Sequence, residues 1–569
     1  MAENVLFRGA TVYDGSGADP TQSDVLVRGG RIEAMGAGAA ARAGDARIED
    51  AGGLALMPGI IDLHTHYDAQ VTWDPTCSPS PALGVTTAVI GNCGFGIAPC
   101  PPAQRDTLLR NLSVVEGMDL EALQAGTRWE FETFPEYLSL LRRLGPSVNL
   151  AVFAGHSSIR TAVMGEAASE RAEPTGEELA QMARLVREAM DAGAIGFASS
   201  FSPNHSGWQG RPMPSTIAPD HELRALVGVL GEVGRGVFMS ATGARATPEY
   251  MEDLARTTGR PMFISTVLSM YSDSAPTRGL AMYDRCAEAM ARGHEVRIQS
   301  SCQPLTFDFD LLVPYVWFPL PSFAPVKAAN GDADTIARLY GDPAFRERFR
   351  ADLRSPPPGV LFTGDWSQVA IGLPTEANRA LQERSIAELA AAAGADPVDW
   401  LFDFVLSERL ATRLAGRFFN NRDEGVAPLL KHPASVITLS DAGAHLSYLC
   451  DAGFGLHLLG HWVRETGTFT LAEAVRRLTS HPAQAFRIPG RGRIAPGAYA
   501  DLLLFDPATV GISTLRGVAD LPGGGRRLVR DPVGVHGVWV NGVRTFDGQA
   551  IVAPGARGGP GAVLDRFDA

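Results

Sequence analysis

His64 and His66 stand one residue apart at the end of a largely apolar run, in PGIIDLHTHYDAQ (Pro58 to Gln70). In an extended strand alternate side chains share a face, so the two imidazoles point the same way and Thr65 points away. Paired imidazoles at a strand end are half of a site for zinc or a similar cation. A second strand-like run, Gly84 to Gly91, delivers Cys93, whose thiolate suits zinc. Far downstream, Asp441 lies in SDAGAH, which ends at His445. A carboxylate beside a bound cation can take a proton from metal-activated water and return it to a leaving group. Ser and Asp also begin helices, so an N-cap is the structural alternative for Ser440-Asp441.

Further candidates follow other strand-like runs. His156, with Arg160 just beyond it in FAGHSSIR, could bind a substrate carbonyl or carboxylate; a satisfied structural histidine is the alternative. Ser199 and Ser200 precede His205, which lies on a Gly/Pro-rich loop, SPNHSGWQGRPMP, able to cover a site. Arg160 and Arg211 could anchor an anion, since a planar guanidinium pairs bidentately with carboxylate; solvated surface arginine is the commoner outcome. His445 is four residues past Asp441, about one helical turn, and could contact substrate or only a neighbour.

Elements of a definite kind must hold these residues. Eight apolar runs read as strands: 55–63, 85–90, 148–154, 194–198, 237–240, 262–265, 295–299 and 435–439. Most are followed by helical patterns, among them 176–192, 221–233, 248–258 and 281–292. Near-continuous apolar strands alternating with helices imply a parallel sheet, and eight such units imply a closed (β/α)8 TIM barrel with its site at the strand C-termini. Every candidate above follows a strand in that sense. Residues 302–430 are too long for one connection and read as an insertion, either a lid over the barrel mouth or a set of supporting helices. Short β-like runs with turns fill residues 1–57 and return within 481–569, so the two ends are expected to pair into a small β-sandwich domain beside a barrel at 58–480.

PGIIDLHTH, the Gly91 to Gly94 turn GNCG, SDAGAH, the tail GRGRIAPGAYADLLLFDP and VWVNGV resemble the amidohydrolase superfamily, and within it the N-acyl-D-amino-acid deacylases (D-aminoacylases), over nearly the whole chain. The resemblance implies metal-dependent hydrolysis of an amide-type C–N bond, with Asp441 as general acid/base. The family normally adds a histidine after strand five and another after strand six. Here those ends read MSATGAR and FISTVLS, with Thr242 and Thr266 in place. His64, His66, Cys93 and Asp441 then supply a reduced site for one Zn2+ or similar divalent ion, and Thr266 is expected to hydrogen-bond substrate or water. Altered chemistry on the same barrel (C–C cleavage, decarboxylation, a metal-free reaction) is the alternative, and a non-catalytic binding relative is the remaining one.

Composition narrows the partners. The 569 residues carry a formal charge of −13, which argues against nucleic acid or an anionic membrane surface. No uncharged run is long enough to cross a bilayer, and the start, MAENVLFRGATVYDG, has no signal-peptide pattern. Six scattered cysteines read as reduced thiols. The expectation is a cytoplasmic enzyme of a small-molecule substrate, with homo-oligomerisation left open.

Overall fold

The computed structural model describes residues 3–203, 205–241, 243, 245–265, 269–357, 360–444, 452–556 and 558–568. Eight parallel strands follow one another in chain order around a curled sheet: β1 (Ile60–Asp62), β2 (Val85–Ile90), β3 (Asn149–Gly155), β4 (Gly196–Ser200), β5 (Val237–Ala241), β6 (Met262–Ser265), β7 (Val296–Ser300) and β8 (Ser435–Ile437). Past β1 and β8 the chain continues as His64–Thr65 and Leu439–Ala442, which pair in parallel and join the two edges. The Thr438 hydroxyl and the Ala442 carbonyl add hydrogen bonds to the Leu63 and His66 amides, at 2.7 Å each. The apolar strands are buried on both faces because helices cover them; all six residues of β2, for example, are buried.

The first apolar run, read as one strand from 55 to 63, is two. Ala55–Pro58 belongs to a different sheet, and the barrel begins at Ile60. Gly59 is the pivot: a Cβ there would overlap the Thr86 side chain on β2. The second sheet has eight strands drawn from both ends of the chain, at Val5–Val12, Thr21–Arg28, Arg31–Met35, Arg47–Asp50, Ala55–Pro58, Leu502–Phe505, Val535–Val540 and Val543–Phe546. Leu502–Phe505 pairs antiparallel with Ala55–Pro58 and so ties the C-terminal segment to the strand that enters the barrel.

The stretch between β7 and β8 carries a three-stranded antiparallel sheet, Leu305–Asp310, Val369–Leu373 and Arg413–Phe419, with helices packed on it. It has its own aromatic core, including Trp317, Phe323, Phe349 and Phe402. A lobe with its own core is more than a set of supporting helices. Of the six cysteines, Cys77, Cys93, Cys100, Cys286 and Cys302 are free thiols and buried; Cys450 lies outside the described residues. Among the described residues no helix is long and apolar enough to cross a membrane.

Candidate metal centre

His64, His66 and Cys93 converge at the C-terminal end of the barrel, with their ligand atoms within 4.8 Å of one another and all three side chains buried. The ring Nε2 atoms of His64 and His66 lie 3.4 Å and 3.3 Å from one oxygen, Asp441 Oδ1. Cys93 Sγ is 3.5 Å from His64 Nε2. Cys93 and Asp441 both adopt left-handed backbone, with φ of 54° and 55°. Such a conformation costs a non-glycine residue about 1–3 kcal/mol and persists where the surrounding structure dictates it. For Cys93 the surroundings are tight, since a Cβ on the next residue, Gly94, would stand 2.8 Å from the Ala198 carbonyl on β4.

The outward ring nitrogens are held as well. His64 Nδ1 lies 2.8 Å from the side-chain oxygen of Gln299 on β7 and 3.2 Å from the Ser265 hydroxyl on β6. His66 Nδ1 lies 3.4 Å from Glu116 Oε1. Glu116 follows α1 (Arg105–Val115) and its side chain is 3 % exposed. An acceptor on Nδ1 keeps the proton there and leaves the Nε2 lone pair for a cation. Burial alone pushes His66 down, but Glu116, with Asp441 and Cys93, more than reverses this and raises the ring well above its ordinary value. Burial pushes the Cys93 thiol up to about 11, although His66 opposes it. Asp68, two residues past His66, is raised to about 6 by burial, against the pull of His66 and of the Gly91 amide.

This donor set fits a divalent cation such as zinc. Two imidazole nitrogens, one sulfur and one carboxylate oxygen form a common ligand mixture for that ion. The carboxamide and carboxylate behind the two rings are the partners that orient metal-binding histidines. Gln299, Ser265, Glu116 and Asp68 were not among the sequence candidates. Gln299 and Ser265 could have been found, because they sit at or next to the C-terminal ends of β7 and β6. Glu116 carries no such signal, as it lies on a helix-to-helix connection.

The structure takes His156 and Arg160 away from the expected substrate role. His156 opens α3 (His156–Met164) and is fully buried, with Nδ1 2.8 Å from Ser199 Oγ and Nε2 2.8 Å from Glu222 Oε1 on α4 (Asp220–Val233). Arg160, one turn further along α3, is also fully buried; it pairs with Glu222 and donates to the carbonyls of Ala168, Arg171 and Ala172. Burial pushes His156 down, while His156 and Arg160 hold Glu222 low against its own burial. These groups join the strands to the helix layer. Arg211 is exposed beside Glu170. His205 has Nδ1 2.7 Å from Ser200 Oγ and its ring edge against Phe95. Ser200 stands in register with Ala241 and Ser265, so it shares the face that carries the His64 contact. Thr266 and His445, like Thr242, lie outside the described residues.

A model described as the Amidohydrolase family matches residues 47–300 and 370–546, skipping much of the insertion. D-aminoacylase from Alcaligenes xylosoxydans xylosoxydans is 30% identical over 578 residues, covering 99% of this chain and 98% of that protein. N-acyl-D-aspartate deacylase from the same organism is 30% identical over 575 residues, covering 99% and 95%. Among solved structures, N-acyl-D-glutamate deacylase from Bordetella bronchiseptica, complexed with zinc and a phosphonate mimic of the tetrahedral intermediate, matches with a TM-score of 0.65 and 26% identity over all of both chains. A D-aminoacylase described as having a binuclear metal centre, with one-metal activation and second-metal attenuation, matches at 0.64 and 26% over 99% of each.

Proposed function

The chain belongs to the amidohydrolase family, and from that premise we propose that it hydrolyses the amide bond of N-acyl-D-amino acids with one divalent cation, zinc first among them. The observation that carries this reading is the cluster of both imidazoles and Cys93 Sγ, with the two Nε2 atoms against Asp441 Oδ1 and with Gln299 and Glu116 behind the two rings. The relatives that match along the full chain are named for deacylation of D-amino acids. His64, His66, Cys93 and Asp441 would hold the ion. When bound, it supplies Lewis acidity that polarises a carbonyl and lowers the pKa of water.

The remaining roles belong to the protein. Asp441 takes the proton of the attacking water and delivers it to the departing amine nitrogen, the shuttle that amide cleavage needs because an amine anion is a poor leaving group. His205, hydrogen-bonded to Ser200, would contact a substrate carbonyl or carboxylate. Support for a single ion comes from β5 and β6. The sequence has no histidine between His221 and His294, so neither strand end can supply a further imidazole, and the Ser265 hydroxyl lies on His64 Nδ1. The test pairs elemental analysis of purified protein with a turnover screen of N-acetyl-D- and N-acetyl-L-amino acids. Metal-dependent release of D-amino acids supports the reading. Turnover that survives complete removal of metal, or none on any N-acyl amino acid, sinks it.

A further inference from the structure

The connection after β4 contains a compact loop, residues 205–213, that folds on itself. The Gly207 amide donates to the Arg211 carbonyl at 2.6 Å, and the Met213 amide returns to the His205 carbonyl at 3.3 Å. The turn between them passes through left-handed backbone at Gln209 and Gly210, with φ of 60° and 76°. Loops at this end of a barrel line its mouth. This one starts near the metal centre: His205 hydrogen-bonds to Ser200 and sets its ring edge on Phe95, two residues past Cys93. Its far end is fixed as well, because Met213 and Pro214 are buried and lead into a turn at Pro214–Ile217.

The tip rests on α1 through two contacts. The Trp208 amide donates to Asn111 Oδ1 at 2.9 Å, and the Arg110 guanidinium lies 5.0 Å from the centre of the Trp208 ring. Trp208 is half-buried, and Gln209, Gly210 and Arg211 are exposed. A hydrogen bond and an exposed cation–π contact are each worth roughly two- to tenfold in an equilibrium, so the tip is held but easily released. Helix α1 itself is firmly seated. Leu108, Leu109, Leu112 and Val115 are buried along it, and it leads to Glu116 behind His66 before the chain turns into α2 (Leu120–Gly126). Packing under the loop is incomplete: a recess lined by Leu108, Asn111, Leu112, Thr161 and Met213 remains between α1, α3 and the loop's return. The approach at the tip is close. A Cβ on Gly207 would stand 2.4 Å from Asn111 Oδ1, although Gly207 has φ of −89°, a backbone that alanine adopts without strain.

We infer that residues 205–213 form a lid on the barrel mouth, latched shut on α1 by Trp208, Asn111 and Arg110, whose release admits and frees what binds at the metal centre. A lid needs a fixed base, a tip held weakly enough to open in each cycle, and room to move; this loop has all three. The inference goes beyond the hydrolase reading. It rests on the proposed metal centre, and on hydrolysis only where turnover is the readout.

The test follows zinc release from zinc-loaded protein into excess dipicolinate, beside equilibrium zinc affinity and turnover of a mixture of N-acetyl-D-amino acids. Asn111→Ala removes the acceptor. Gly207→Ala forces Asn111 to turn away or the loop to lift, and either breaks the same bond. Each should speed zinc release about two- to tenfold. Equilibrium affinity should stay unchanged, because the loop gives the ion no donor and opening quickens entry and exit alike. The two substitutions together should be no faster than the faster one alone, since they act on one contact. Asn111→Cys with Gly207→Cys tests the closed state. A Cβ at Gly207 lies 3.0 Å from Asn111 Cγ, where a cysteine sulfur would sit, and that separation suits a disulfide. Oxidation of this variant should slow zinc release and turnover about tenfold or more, and reduction should restore both. Equal zinc release by its oxidised and reduced forms, or wild-type release in both Asn111→Ala and Gly207→Ala, would overturn the lid. If Gly207→Ala does not fold, Asn111→Ala and the cysteine pair decide the matter. Gated zinc release without turnover by the reduced protein leaves the lid standing and removes the hydrolase reading. Turnover and zinc release that oxidation leaves unmoved do the reverse.

Discussion

Glu116 is the most exacting residue to perturb, because it meets His66 at the ring nitrogen turned away from Asp441. Its Oε1 stands 3.4 Å from His66 Nδ1, both side chains are 3 % exposed, and burial raises the carboxyl while the His66 charge pulls it back. Glu116→Gln keeps the shape and can still present an oxygen to the ring N–H, so it removes charge alone. Glu116→Leu removes the acceptor too. Loss of such a partner behind a metal-binding histidine costs about 10–100-fold in metal affinity or activity, or about 1.4–2.8 kcal/mol at about 1.4 per decade. The glutamine variant should fall near the lower figure and the leucine variant near the upper. The assay is competition for zinc against a chromogenic chelator, with circular dichroism to confirm folding. Two folded variants with wild-type zinc affinity would refute the idea that Glu116 positions His66. A larger loss for glutamine than for leucine would show that the geometry has been misread.

Three further outcomes follow from the same geometry. Asp441→Asn should fold normally and lose about 10²–10⁴-fold in turnover, the usual size of a general acid/base contribution; near-normal turnover would reduce Asp441 to a turn residue. The Cys93 thiol sits at about 11 because it is buried, so a cation that takes its thiolate must displace a proton at neutral pH. Calorimetry in buffers of different ionisation enthalpy should then show wild type releasing about one proton more than Cys93→Ala on binding zinc, and equal release would remove Cys93 from the ligand set. His457 and His481 are both pushed down to about 3 by burial, with neighbouring cations adding to the effect. Below the ordinary value of about 6.5 the unfolded chain binds more protons than the folded one. Stability should therefore fall as pH drops from there towards 3, by up to about 1.4 kcal/mol per pH unit for each ring. His481→Gln should lose less melting temperature between pH 7 and pH 5 than wild type, and identical losses would contradict the assignment.

The candidate metal donors were legible because each sits in a short motif at a strand end, and parallel strands of a closed barrel bring their C-terminal ends together. The two-residue spacing of His64 and His66 gave their common face. What could not be read was how the chain turns between elements. The apolar character of 55–63 is continuous, and only the contact between Gly59 and Thr86 shows that it serves two sheets. His156 and Arg160 were expected at the mouth because they follow β3. Helix α3 begins at His156 itself, and a spacing of four puts both side chains on one helical face, where Glu222 meets them. Glu116 comes from a connection between helices that is placed by packing on His66, 50 residues earlier in the chain, for which local sequence has no signature.

His64, His66, Cys93 and Asp441 are proposed to form one cation site that the reaction needs. Its most direct test is the metal content of the purified protein, by elemental analysis, joined to anomalous diffraction that locates the ion. One equivalent of a divalent cation per chain is expected, zinc when zinc is supplied, placed among those four side chains, with turnover lost on chelation and restored on its return. Two ions bridged at this site, an ion bound elsewhere, or undiminished turnover by metal-free protein would contradict it.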